Sequence, residues 1–94
     1  MIERTITVVP ENGLHARPAS QVVEAANSYE SKVTVGPAGS DGVDAASMLA
    51  VTGLGVGPGD EVDITADGPD EEAAIDDLEE ILTTPEHGDN GEEQ

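Results

Sequence analysis

Cysteine is absent from this 94-residue chain, as are tryptophan and phenylalanine, and Tyr29 is its one aromatic residue. Without cysteine there are no disulfides, no thiolate metal sites and no cysteine nucleophile. Positive charge is nearly as scarce. Arg4, Arg17 and Lys32 stand against 21 acidic residues, for a formal net charge of -18, and no Lys or Arg follows position 32. Such a chain repels nucleic-acid phosphates and anionic lipid, so neither is an expected partner. No apolar run reaches the roughly 18 residues that a membrane helix needs. The start, Met1-Ile2-Glu3-Arg4, turns polar at once and lacks the apolar stretch of a signal peptide. The expectation is a soluble cytoplasmic protein, with the missing disulfides in keeping.

High acidity with few aromatics is also a mark of disorder. Clear apolar periodicities argue for a folded chain instead. A folded protein adapted to high salt fits both features, because salt screens self-repulsion over a few ångströms. The plainer alternative is an ordinary acidic domain. At this length the chain suits one domain with a modest core and no deep substrate cavity.

Residues 2–9 alternate β-branched and polar side chains and read as a strand, followed by the turn signal Pro10-Glu11-Asn12-Gly13. Pro18 is tolerated in a first helical turn, and Ala19, Val22, Val23 and Ala26 then recur at helical spacing up to Asn27 and Ser28. Periodicity alone starts this helix at Pro18, since the residue before proline avoids helical geometry. Residues 32–35 and 43–45 read as a hairpin across the turn-rich residues 36–42. Ser47 is placed to cap a short helix holding Met48, Leu49 and Val51, which Gly53, Gly55, Gly57 and Gly59 end. A strand over residues 61–66 follows. Gly68-Pro69-Asp70 then opens a last helix with the apolar stripe Ala74, Ile75, Leu78, Ile81 and Leu82. Asp70, Glu71 and Glu72 suit its positive N-terminal end, and Pro85 stops it. Residues 85–94 read as an acidic, disordered tail that carries His87 with no signature around it, leaving 1–84 as the domain.

The order is β-α-β-β-α-β-α, an α+β chain in which three helices cover one face of a four-stranded sheet. An open-faced sandwich is the expected architecture, with a ferredoxin-like split βαβ arrangement as its nearest rival from pattern alone.

Chemistry concentrates in Gly13-Leu14-His15-Ala16-Arg17-Pro18-Ala19. A histidine just before a helix start is a nucleophile able to hold a covalent group. The free N–H groups and dipole of the helix end favour phosphate there. Arg17 adds a forked cationic donor suited to phosphate oxygens. Taken alone, His15 reads more simply as an exposed loop histidine and Arg17 as a solvated charge. The acidic runs around residues 70–80 read as a solvated helix face, and no metal site is expected.

This segment resembles the active-site signature of the HPr family, the histidine phosphocarriers of the phosphoenolpyruvate-dependent sugar phosphotransferase system. A second match supports it at the right separation. It comprises Ala46-Ser47-Met48-Leu49, then Leu54-Gly55-Val56 and Gly59-Asp60-Glu61-Val62, so that the resemblance runs over about the first 84 residues. It implies an antiparallel sheet in the order 1-4-2-3. It also implies a carrier, not an enzyme, and no cofactor. His15 would accept a phosphoryl group from phosphorylated Enzyme I and pass it to the EIIA domain of a sugar permease, fructose being one candidate sugar. Arg17 would steady the group, with the amides of Ala16 and Arg17 helping. Partners would dock on Ala16, Ala19, Ser20, Met48, Leu49 and Thr52, the carrier itself being a monomer. Met48 and Leu49 would form an apolar anchor, or at least one of them would be core. Ser47 aligns with a regulatory serine of some relatives, although a plain N-cap is its simpler role, and Ala45 and Ala46 lack the family's basic character there. Two other readings stand beside this one: an HPr-like carrier or regulator serving dihydroxyacetone phosphorylation, and a ferredoxin-like binding module with an incidental histidine.

Overall fold

β-branched residues fit a pleated surface buried on one side, and three such stretches build the centre of this fold. The computed structural model describes residues 1–10 and 16–84. Strand β1, Ile2–Thr7, pairs antiparallel with β4, Glu61–Asp67, in a register that sets Ile6 opposite Val62 and Arg4 opposite Ile64. The other edge of β4 pairs with β2, Lys32–Pro37, which in turn pairs with the two-residue β3, Val43–Asp44. The sheet is antiparallel throughout, in the order β1-β4-β2-β3. Because side chains alternate along a strand, Ile6, Val33, Val35, Val62, Ile64 and Ala66 share the buried face. The opposite face is open and polar. There Thr5 donates to the Asp63 carboxylate at 2.6 Å, and the hydroxyls of Thr34 and Thr65 bond to each other.

Three helices, α1 (Ala16–Ser28), α2 (Met48–Thr52) and α3 (Glu71–Thr83), cover the buried face. The expected stripe of α3 is the one it buries: Ala74, Ile75, Leu78 and Leu82 are inside and Ile81 is half-buried. α3 lies on β1 and β4 and against α1, and α1 in turn meets α2. One apolar core runs through all of these layers.

The structure corrects several boundaries. β1 is bounded at Thr7, although Val8 N–H still donates to the Asp60 carbonyl, the next position in register; Val9 N–H turns away to the Leu82 carbonyl, each bond being 2.9 Å. β3 stops at Asp44, although Ala45 N–H still donates to the Val33 carbonyl. α1 begins at Ala16, two residues before Pro18. The first four helical amides have no intrahelical partner, so a proline in that turn removes no hydrogen bond. That removes one cost of beginning early, and the pre-proline preference of Arg17 is overridden.

The joint between α1 and β2 is held by Asp70. Its carboxylate accepts from the Glu30 and Ser31 amides at 2.9 Å each and from the Ser31 hydroxyl at 2.5 Å. Gly68 passes so near that a Cβ there would lie 2.6 Å from Ser31 Cα, so only glycine fits. Arg4 reaches from β1 to Asp76 and Glu79 of α3, at 3.1 and 2.5 Å. The N-terminal ammonium pairs with Glu71 at 3.2 Å. Among the described residues no helix is long and apolar enough to cross a membrane.

Candidate functional site

The N-terminal turn of α1 contains Ala16, Arg17 and Pro18 and carries no acidic side chain. Arg17 is exposed in that turn. Its solvent face continues at helical spacing through Gln21 and Glu24, with Ser20 also exposed beside them. Pro18, Ala19 and Val22 point the other way and are buried. His15, which precedes Ala16 in the chain, lies outside the described residues, as do the turn signal at residues 11–13 and the tail with His87.

α2 sits beside α1 and is short, so its placement depends on its ends and its anchors. Ser47 is its N-cap: the hydroxyl accepts from the Ala50 amide at 3.3 Å. At the other end Gly53 N–H donates to the Leu49 carbonyl, and the Thr52 hydroxyl donates to the Met48 carbonyl at 2.9 Å. Ala45 and Val51 are fully buried and fix the helix to the core. Met48 and Leu49 are therefore turned outward, 43% and 84% exposed. Neither is a core residue, which removes the core role that their sequence allowed.

One expected docking residue is corrected. Ala19 has no exposed surface, because the face of α1 that carries it packs inward with Val22 and Ala26, and its side chain offers nothing to a partner. Gln21 is exposed on the outer face of the helix. It stands four residues after Arg17, on the same side of the helix.

The groups whose titration the fold shifts lie on β1, β4, α3 with its N-cap Asp70, and the segment between α1 and β2. Asp70 is held below the usual carboxylate range by the Ser31 hydroxyl and then the Glu30 amide. Asp63 is lowered by the Gly39 amide and then the Thr5 hydroxyl, and Glu71 by the Gly68 amide and then the N-terminal ammonium. Tyr29 is raised, first by its hydrogen bond to Asp77 and then by burial. Arg4 is raised by its bonds to Glu79 and Asp76. These groups serve the scaffold. Among the described residues no cluster of three or more His, Asp or Glu could hold a metal. A shallow groove of about 310 Å³ between α1 and α3 is lined by Gln21, Glu24, Ala25, Ser28, Asp77 and Ile81, and Arg17 is not part of it. The candidate site is thus the exposed face of α1 and α2, outside that groove.

A family model described as the PTS HPr component phosphorylation site matches residues 2–84. The chain belongs to the HPr family, the phosphocarriers of the phosphotransferase system. It is 62% identical over 86 residues to the phosphocarrier protein HPr of the haloarchaeon Haloferax volcanii, covering 90% of this chain and 97% of that one. It is 44% identical over 82 residues to the HPr of Streptomyces coelicolor, covering 87% and 88%. Among solved structures, HPr-C-His from Thermoanaerobacter tengcongensis matches with a TM-score of 0.81 at 38% identity, over 87% of this chain and 91% of that one. The open-faced sandwich and the order 1-4-2-3 are those of the HPr structures, and the ferredoxin-like rival is set aside. HPr proteins are phosphocarriers, not catalytic enzymes.

Proposed function

We propose that His15 is the phosphoryl acceptor of this carrier, receiving the group from phosphorylated Enzyme I and handing it to the EIIA component of a sugar permease. The observation that carries this reading is the phosphorylation-site family match over residues 2–84, together with a helix that begins at Ala16, the next residue in the chain. In the first transfer the His15 ring nitrogen nearer the backbone attacks phosphorus. A new N–P bond forms as the bond to the donor's leaving atom breaks, and that atom keeps the electron pair. The second transfer repeats this with His15 as leaving group. Phosphoryl transfer asks mainly for positioning and charge stabilisation. The amides of Ala16 and Arg17, among the first helical N–H groups with no intrahelical acceptor, and the Arg17 guanidinium supply both.

The carrier unit is residues 1–84, acting as a cytoplasmic monomer, with 85–94 as an acidic appendage. Ala16, Ser20, Met48, Leu49 and Thr52 contribute to docking. Fructose is the first sugar to assay. Ser47 serves as the α2 cap.

The test is incubation with phosphoenolpyruvate and cognate Enzyme I at about 2 M KCl, where the screening length is below about 3 Å. One acid-labile phosphate mapped to His15 is expected, passed on to a permease EIIA domain. A chain that gains no phosphate, or a His15→Ala variant that gains as much, rejects the reading. Transfer to a dihydroxyacetone kinase subunit instead would reassign the pathway and keep the acceptor.

A further inference from the structure

Twenty-one carboxylates spread evenly over 94 residues would place about five in the 23 positions 16–23 and 45–59, yet those positions hold none. The two stretches are far apart in sequence, and the fold joins them: they are the first two turns of α1, and α2 with its flanking segments, which pack against each other. Carboxylates resume at its borders with Glu24, Asp44 and Asp60, and α3 alone carries six. Within this face Met48 and Leu49 stand exposed, and the only other exposed large apolar side chains among the described residues are Met1 and Val9. Its charged residue is Arg17, in a turn without an acidic side chain.

We propose that this carboxylate-free face binds an apolar, uncharged face on a net-acidic protein, the phosphoryl donor, and that the association tightens as salt rises. The proposal rests on the carrier reading above and adds how the partner is recognised. A basic partner face is the wrong complement, because it would be drawn to α3 or to the open side of the sheet, where the negative charge is. An acidic partner is repelled from those surfaces and meets no carboxylate on this one, so the same charges that oppose a wrong approach leave the right one clear. The phosphoryl group being exchanged is itself negative, and a carboxylate beside it would oppose its arrival. Two acidic proteins repel at low salt. Screening removes that penalty, while burial of Leu49 and Met48 is not screened.

The sign of the salt dependence is the test. Affinity of the full chain for its unphosphorylated Enzyme I is measured by titration calorimetry between about 0.2 and 2 M KCl, a range in which the screening length drops from about 7 to about 2 Å. Phosphate incorporation at His15 is followed in parallel samples at the same salt concentrations, supplied with phosphoenolpyruvate. We expect Kd to tighten about tenfold or more across that range. Leu49→Asp should weaken binding at least about tenfold at the highest salt, as a carboxylate replaces a buried apolar contact. Ala73→Asp, which adds the same charge on the exposed side of α3, should change it by less than about twofold, as expected for a charge beyond the screening length. A Kd that is flat or weakens with salt, or equal losses in the two variants, overturns this inference while phosphorylated His15 upholds the carrier reading. Binding that follows the expected pattern without any phosphate on His15 would reject the carrier reading alone. No binding at any salt overturns the inference as well.

Discussion

Leu49 and Val51 are both aliphatic, two residues apart on one five-residue helix, and differ sharply in what truncation removes. Val51 is fully buried, so Val51→Ala deletes two buried methyl groups, about 1.6 kcal/mol at roughly 0.8 each. A residual cavity adds to this. The better helix propensity of alanine returns up to about 0.7 kcal/mol. The net loss should be about 1–2.5 kcal/mol, or about 5–15 °C in melting temperature for a domain of this size. Leu49 is 84% exposed, so less than a fifth of a burial term of about 2.5 kcal/mol is at stake, and Leu49→Ala should cost no more than about 0.5 kcal/mol. Urea unfolding followed by far-UV circular dichroism at fixed KCl measures both. Phosphorylation kinetics should show the reverse order: Leu49→Ala slows uptake from Enzyme I, while folded Val51→Ala accepts the group normally. A Leu49→Ala loss above about 1 kcal/mol, or a Val51→Ala loss below about 0.5, would refute the orientation assigned to α2.

Acid should loosen the joint at Asp70. The folded protein lowers this carboxyl through Ser31 and Glu30, so its contribution is fully present above the ordinary carboxylate pKa and is lost as pH falls through the lowered folded value. In high salt, where relief of self-repulsion is suppressed, the urea midpoint should therefore drop below about pH 4. Asp70→Asn should lower the midpoint at neutral pH and flatten that acid dependence, and an unchanged acid dependence in the variant would refute the assignment. The excess of 18 negative charges leads to a further expectation: melting temperature rises with KCl, by about 5 °C or more between dilute and molar salt, equivalent to roughly 1 kcal/mol. A flat thermal response would reject salt adaptation.

Much of this was legible because the signals were local and periodic. The α3 stripe and the alternation in β1 and β4 each report a face, and the seven elements followed in the right order. The start of α1 was misplaced because a pre-proline preference is a weak local rule, one that the rest of a helix can override. Ala19 was placed among the docking residues by the family resemblance, although its own helical spacing with Val22 and Ala26 puts it inside. Met48 and Leu49 had no periodic context in so short a helix, and their exposure follows from Ala45 and Val51 holding the other side. Asp70 looked like a residue favoured by the α3 dipole. Its carboxylate instead serves Glu30 and Ser31, about 40 residues away, a pairing that no local pattern encodes.

Acidity of this degree has to coexist with a reaction whose cargo is itself negative. The fold resolves the conflict by distribution. Arg4 is bound to α3, the N-terminal ammonium to Glu71, and Lys32 on β2 stands opposite Asp67 of β4. On the proposed reading the carrier needs no pocket, only an exposed face that two proteins visit in turn. Keeping that face free of carboxylates costs the scaffold little, since solubility and salt tolerance depend on total surface charge and not on its presence at any one helix. On the proposed reading, the acidic load can therefore grow on α3 and the open sheet while the α1–α2 face stays fit for phosphate.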